Sequence, residues 1–184
     1  MLIPKIIDNT EILVRFIFID NFKKKVLDET RLNTQDIFLD TRLFGISLQR
    51  SLYTNENKCK EFASSILNKQ YAGFVLFYKN DFISTVEDYQ IERGIFESVI
   101  EFTPLDENNQ YLVDRDNSNV EDEGNPSHSD IIYVNPAISA GEANPNTSLR
   151  LFSKKLMTKC KVVIDENFES SEFNLGLFSD LVAS

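Results

Sequence analysis

Glu11-Ile12-Leu13-Val14-Arg15-Phe16-Ile17-Phe18-Ile19 is the stretch on which the reading of the fold turns. Aromatic and β-branched residues fill it, and these pack well on a pleated surface. Its apolarity is nearly continuous rather than alternating, so both faces of the expected strand are buried and the strand belongs in the middle of a sheet. Arg15 interrupts the run, which is far short of the roughly 20 apolar residues that a bilayer-spanning helix needs. No membrane span is expected.

Outward from this strand the chain alternates short apolar runs with polar connections. Strands are expected at about 35–39, at 43–53, and at 73–78, where Gly-Phe-Val-Leu-Phe-Tyr is again apolar throughout. Between the last two, Cys59, Phe62, Ala63, Ile66 and Leu67 recur at helical spacing, with Thr54 or Asn55 placed to cap the first turn. Lys79-Asn80-Asp81 reads as a turn into a further strand over 82–86, making a hairpin. Strands follow at 94–102, 111–113 and 130–134. Residues 136–145 form a Pro- and Gly-containing loop. A second helix carries the stripe Leu149, Phe152, Leu156 and Cys160, capped by Asn146 or Thr147, and a short strand at 162–164 closes the body.

The expectation is one α+β domain over residues 1–165, a mixed or mainly antiparallel sheet under two helices, followed by an apolar-acidic tail over 166–184. A weak internal duplication is suggested by Ile46–Arg50 and Tyr111–Arg115, which each end an apolar run with Arg. The chain's 184 residues and 42% hydrophobic content suit a single core of this size. Fifteen Phe and six Tyr with no Trp favour sheet.

The formal charge of −10 is unevenly spread. Residues 1–86 hold 12 basic and 10 acidic side chains, residues 87–130 hold 2 and 13, and residues 131–184 hold 5 and 6. The acidic block contains Asp-Arg-Asp-Asn-Ser-Asn-Val-Glu-Asp-Glu over 114–123, which has no periodicity and reads as a solvated loop. Asp114, Asp116 and Ser118 match the first, third and fifth places of an EF-hand loop, but Asn119 and Asn125 stand where its Gly and bidentate Glu are needed. No metal site is expected, there or at the one His and two core-placed Cys. Cys59 and Cys160 read as free thiols in a reducing cytoplasm.

Chemistry is sparsely signposted. His128, the one histidine, is followed at two residues' distance by Asp130, which would share its face if the segment is extended. These two are the weak catalytic candidates. Six scattered glycines make neither a Walker loop nor a dinucleotide fingerprint, and no cofactor is assigned. Arg15, Ser47 and a downstream Glu97 or Glu101, on separate expected strands, resemble the Arg, Ser and Glu set of ADP-ribosyltransferases, without a local motif around them. Net acidity disfavours nucleic acid, with Lys23–Lys25 and the lysines of the second helix as the exception.

By elimination the leading reading is a cytoplasmic, non-enzymatic interaction module or accessory subunit. Its contact with a protein partner, or with a second copy, is expected through Phe168, Phe173, Leu177, Phe178 and Leu181 of the tail. An enzyme with a cleft around His128, or a nucleic-acid-associated protein, are the alternatives.

Overall fold

The structure is a computed structural model that describes residues 1–40, 44–135 and 145–184. Its centre is a six-stranded sheet: β1 (Ile12–Phe18), β2 (Ile46–Arg50), β3 (Tyr71–Tyr78), β4 (Glu97–Phe102), β5 (His128–Asn135) and β6 (Lys161–Ile164), in the order β4-β5-β2-β1-β3-β6. Every pairing is antiparallel. The sequence places β1 and β3 correctly as buried inner strands, because only a strand covered on both faces is apolar on both.

One face packs under α2 (Lys79–Arg93) and α3 (Pro145–Met157), around Tyr89, Phe96, Tyr133 and Phe152. The other is covered by α1 (Glu56–Ser64) and the short α4 (Phe178–Ala183), where Phe74 meets Phe16, Tyr71, Phe173 and Phe178 with ring centroids 5.2–6.0 Å apart. The fold is an α+β domain whose sheet lies between two helical layers.

Asn55 caps α1 as expected, its Oδ1 accepting from the Lys58 amide at 2.9 Å. The hairpin expected after β3 does not form, and α2 stands there instead. Phe-Ile-Ser-Thr-Val favours a strand locally. The Asp81 carboxylate nevertheless accepts the Tyr78 amide at 3.0 Å and starts a helix whose buried residues, Phe82, Thr85 and Tyr89, are three and four apart. That stripe was present in the sequence, diluted by the exposed Ile91.

Other elements shrink. Residues 35–39 are turns that still bury Ile37 and Phe38, and the strand expected over 43–53 is confined to β2, with Ser51–Tyr53 a 3₁₀ turn. Of 111–113 only an isolated bridge from Tyr111 to Leu105 remains. Since Ile46–Arg50 is a strand and Tyr111–Arg115 is not, the suggested duplication has no structural counterpart. The first turn of α3 starts at Pro145, so Asn146 and Thr147 lie within the helix rather than capping it. Residue 43 and residues 136–144 of the loop expected over 136–145 lie outside the described residues, and Pro145 belongs to α3.

The acidic loop is engaged by the chain's own start. The Met1 ammonium meets Glu121 at 2.7 Å, Lys5 meets Asp116 at 3.4 Å, and backbone bonds join Ile3 to Ser118 and Val120 to Met1.

The tail is held by α1. Lys60, 1% exposed, gives its ammonium to Asp165 Oδ2 at 2.7 Å and to the carbonyls of Glu172 and Asn167 at 2.9 and 3.0 Å. Asn57 and Glu56 accept the amides of Phe173 and Phe178, each at 2.7 Å. Replacing Lys60 with Met leaves the Asp165 carboxylate buried without its cation, an expected loss of about 3–5 kcal/mol. Amide exchange is expected to quicken over 166–178 in that variant, and unchanged exchange there would show that the apolar contacts alone hold the segment.

Candidate functional site

Strands β1 and β2 pair only at Leu13 with Arg50 and Val14 with Gln49, and then part. Arg15 fills the gap, its Nη1 donating to the Ser47 carbonyl at 3.0 Å and its Nε to the Ile37 carbonyl at 3.2 Å. Over this opening lies a cleft of about 600 Å³. Its floor is Arg15, Phe16, Gly45, Ser47 and Gln49. One wall is Phe62, Ser65, Leu67 and Lys69 from the end of α1 and the segment after it. The other is His128 with Leu105, Asn109 and Asn125, from the excursion over 103–127 that links β4 to β5. Reciprocal backbone bonds between Leu105 and Asn125, at 2.9 and 3.0 Å, close that excursion at its base.

β5 starts at His128, two residues before the strand expected over 130–134, so the histidine is the first residue of the strand. The two-residue period puts Asp130 on its face, as the sequence suggests, with Nε2 3.9 Å from Asp130 Oδ1. The Thr103 carbonyl lies 2.8 Å from His128 Nδ1. A carbonyl only accepts, so Nδ1 carries the proton and Nε2 is the basic nitrogen of the neutral ring. The Thr103 hydroxyl, 3.1 Å from Nδ1, donates at 2.8 Å to Asp130 Oδ2, which also accepts from the Tyr111 hydroxyl at 3.0 Å. Burial lowers the His128 pKa below its usual 6.5, partly offset by Asp130 and by the Thr103 carbonyl. Burial raises that of Tyr111 to about 12, with the Asp130 charge adding to it.

Gly45 allows this packing. Its φ is +109°, and a Cβ there would stand 3.0 Å from Asp130 Cγ, so a side chain would be strained and would press on the carboxylate.

Neither neighbouring serine addresses the imidazole. Ser127 donates to Gln49 Oε1 at 2.8 Å, and Ser129 faces the opposite side of the sheet. Arg15 and Ser47 do come together in the cleft, but Glu97 and Glu101 are exposed on β4 and line no part of it, so the transferase-like set is not assembled. Thr103, Tyr111 and Lys69 had no sequence signal of their own, because a long loop and a helix end bring them in.

Most of the tail residues lie on the body of the protein. Phe173 and Phe178 are buried against Phe74, and Phe168 and Leu181 are half-buried on the same cluster. Leu177 is 58% exposed. Two of the lysines of α3 and its end meet acids of α2: Lys155 pairs with Glu92, and Lys159 with Asp88 at 3.2 Å.

A second groove, of about 740 Å³, runs between α1 and Ser171. Its buried cation, Lys60, is already bonded to three oxygens, which leaves mainly exposed polar side chains to meet a ligand. No group of three or more His, Cys, Asp or Glu among the described residues could hold a metal ion, and no helix among them is long and apolar enough to cross a membrane. No family model, curated protein or solved structure matches the chain.

Proposed function

We propose that this protein binds a small molecule in the cleft between α1 and the 103–127 excursion. The observation behind the reading is convergence: the sheet opens between β1 and β2, and a guanidinium, a neutral imidazole and several side-chain amides meet at that opening. The volume falls within the ~300–1,000 Å³ usual for ligand sites, and an apolar wall with a few convergent polar groups is their usual make-up. Phe16, Phe18 and Phe62 supply area, while Gln49, Asn125 and His128 supply direction.

Amide chemical-shift mapping with a library of compact fragments tests the reading. Hits are expected to gather on Ser47, Gln49, Phe62, Leu67 and His128. Hits gathered instead on Asn57, Glu61 and Ser171, or scattered over the surface, would contradict it.

A second reading, that the cleft also performs catalysis, is favoured by the state of His128. The Thr103 carbonyl fixes the tautomer and burial keeps the ring neutral near pH 7, which is the condition of a general base acting through Nε2. Under this reading His128→Gln removes turnover of a bound ligand and leaves its binding largely intact. Loss of binding together with turnover would assign His128 to recognition alone.

The interaction-module reading has weaker support. Exposing Phe173 and Phe178 to a partner would first cost about 1.5–3 kcal/mol for each ring lifted from Phe74. The pairing of Lys155 and Lys159 with acids of α2 likewise reduces the positive charge that this part of the surface offers to nucleic acid.

A further inference from the structure

Among the described residues two cations, Arg50 and Lys60, are buried and a third, Arg15, is partly buried, and the contrast among them is informative. Arg50 is bonded to the Glu11 carboxylate at 2.7 and 2.9 Å, and Lys60 to Asp165 at 2.7 Å. Arg15, drawn into the gap between β1 and β2, has no carboxylate within ion-pair distance among the described residues. It donates only to two backbone carbonyls. A guanidinium has five N–H donors, so three of them remain, including both on Nη2.

The cleft repeats the asymmetry. In a chain with 29 acidic and 19 basic side chains, the described residues of its lining include Arg15 and Lys69 and no carboxylate. Lys69 lies over the Phe18 ring at 4.9 Å. Its pKa is lowered by burial and then by the Arg15 charge, with the Asp20 charge opposing. Burial also lowers the pKa of Arg15, to about 10, opposed by Tyr133 and by the more distant Asp130 and Asp40 carboxylates, so it stays charged at neutral pH.

We infer that the ligand of this cleft is a compact anion, a phosphate or carboxylate group on an apolar or aromatic body, whose charge lies between Arg15 and Lys69 while the body rests on Phe16, Phe18 and Phe62. The inference rests on the binding role proposed above and narrows it. Arg15 offers the paired N–H geometry that suits either oxyanion, and Lys69 adds a point charge at the rim. The other end of the ligand meets Gln49, Asn125 and His128. The cleft's size and the acidity of the surrounding chain favour a small molecule over a polyanion.

Titrations with phenyl phosphate, benzoate and neutral benzyl alcohol, followed by amide shifts and calorimetry, test this. The two anions are expected to move the signals of Ser47, Phe62 and Lys69 and to bind about tenfold or more tightly than the alcohol. Lys69→Glu, at a side chain that makes no hydrogen bond among the described residues, is expected to weaken both anions by a similar factor and spare the alcohol. Arg15→Gln is expected to do the same, with its folding checked by the dispersion of the same spectra. If all three probes bind the cleft equally and Lys69→Glu changes none of them, the anion assignment is overturned and the binding role stands. If no probe moves a cleft signal at about 10 mM, well above the ~1 mM of a weak contact, both fall.

Discussion

Replacing Glu11 with Ala is expected to destabilise the protein by about 3–5 kcal/mol, a large part of the ~5–15 kcal/mol that a domain of this kind has. Arg50 is 0% exposed, and its guanidinium lies over the Tyr53 and Phe102 rings at 4.6 and 5.1 Å. Besides Glu11 it donates only to the carbonyls of Pro4 and Ile6. Removing the carboxylate leaves a full charge in a dry place with no counter-charge and no route to water. The same group ties the 4–11 segment to the end of β2, so the loss is expected to spread to the N-terminus and to its contacts with the acidic loop. A double variant, Glu11→Leu with Arg50→Met, removes both charges together and is expected to recover most of the stability. Denaturant midpoints of the unaltered protein, Glu11→Leu, Arg50→Met and the double variant decide the matter. If the double variant is as unstable as the two single losses added, the pair is not coupled in the way the geometry requires.

A comparable loss is expected from Gly73→Ala, for a different reason. Gly73 faces the Val163 carbonyl across β3 and β6, and a Cβ built on it would lie 2.0 Å from that oxygen. Its φ of +148° is also one that side-chain-bearing residues rarely adopt. The obstacle is backbone, so it cannot swing aside, and β6 must move. Strain and lost pairing together come to about 3–5 kcal/mol. Amide exchange is expected to quicken first over Lys161–Ile164. A variant of unchanged stability with β6 still protected would mean that the two strands stand farther apart than described.

The difference between what was readable and what was not follows from the range of the interactions. β1, β3 and the stripe of α1 are written in local composition and period, and the α+β class follows from strand-length apolar runs mixed with helical stripes. α2 was hidden because Phe82 to Val86 favours a strand locally, while the sheet face above β3 needed a helix, and Tyr89 and Phe152 pack there. The shared face of His128 and Asp130 was legible from a period of two. That Thr103 and Tyr111 complete their hydrogen bonds was not, since a 25-residue separation joins Thr103 to His128. Arg15 was visible as a charge in an apolar strand, but its meaning depends on where β1 and β2 part, which no local pattern encodes. The tail's aromatic residues were legible as anchors, and the fold places Phe173 and Phe178 against Phe74 of their own chain.

The site rests on a neutral histidine held through Nδ1, and because His128 is the one histidine its ¹⁵N signals can be followed without assignment. Its folded pKa lies below the unfolded value, so the folded state binds fewer protons between the two. Stability tied to the neutral ring is therefore complete at higher pH and is lost as pH falls from about 6.5 toward the folded value. The measurement is the ring ¹⁵N shifts from pH 8 to about pH 4. The account predicts the Nδ1–H tautomer at neutral pH, a midpoint below 6.5, and movement of the Nε2 signal when phenyl phosphate fills the cleft. An Nε2–H tautomer, or a midpoint at or above 6.5, would contradict it.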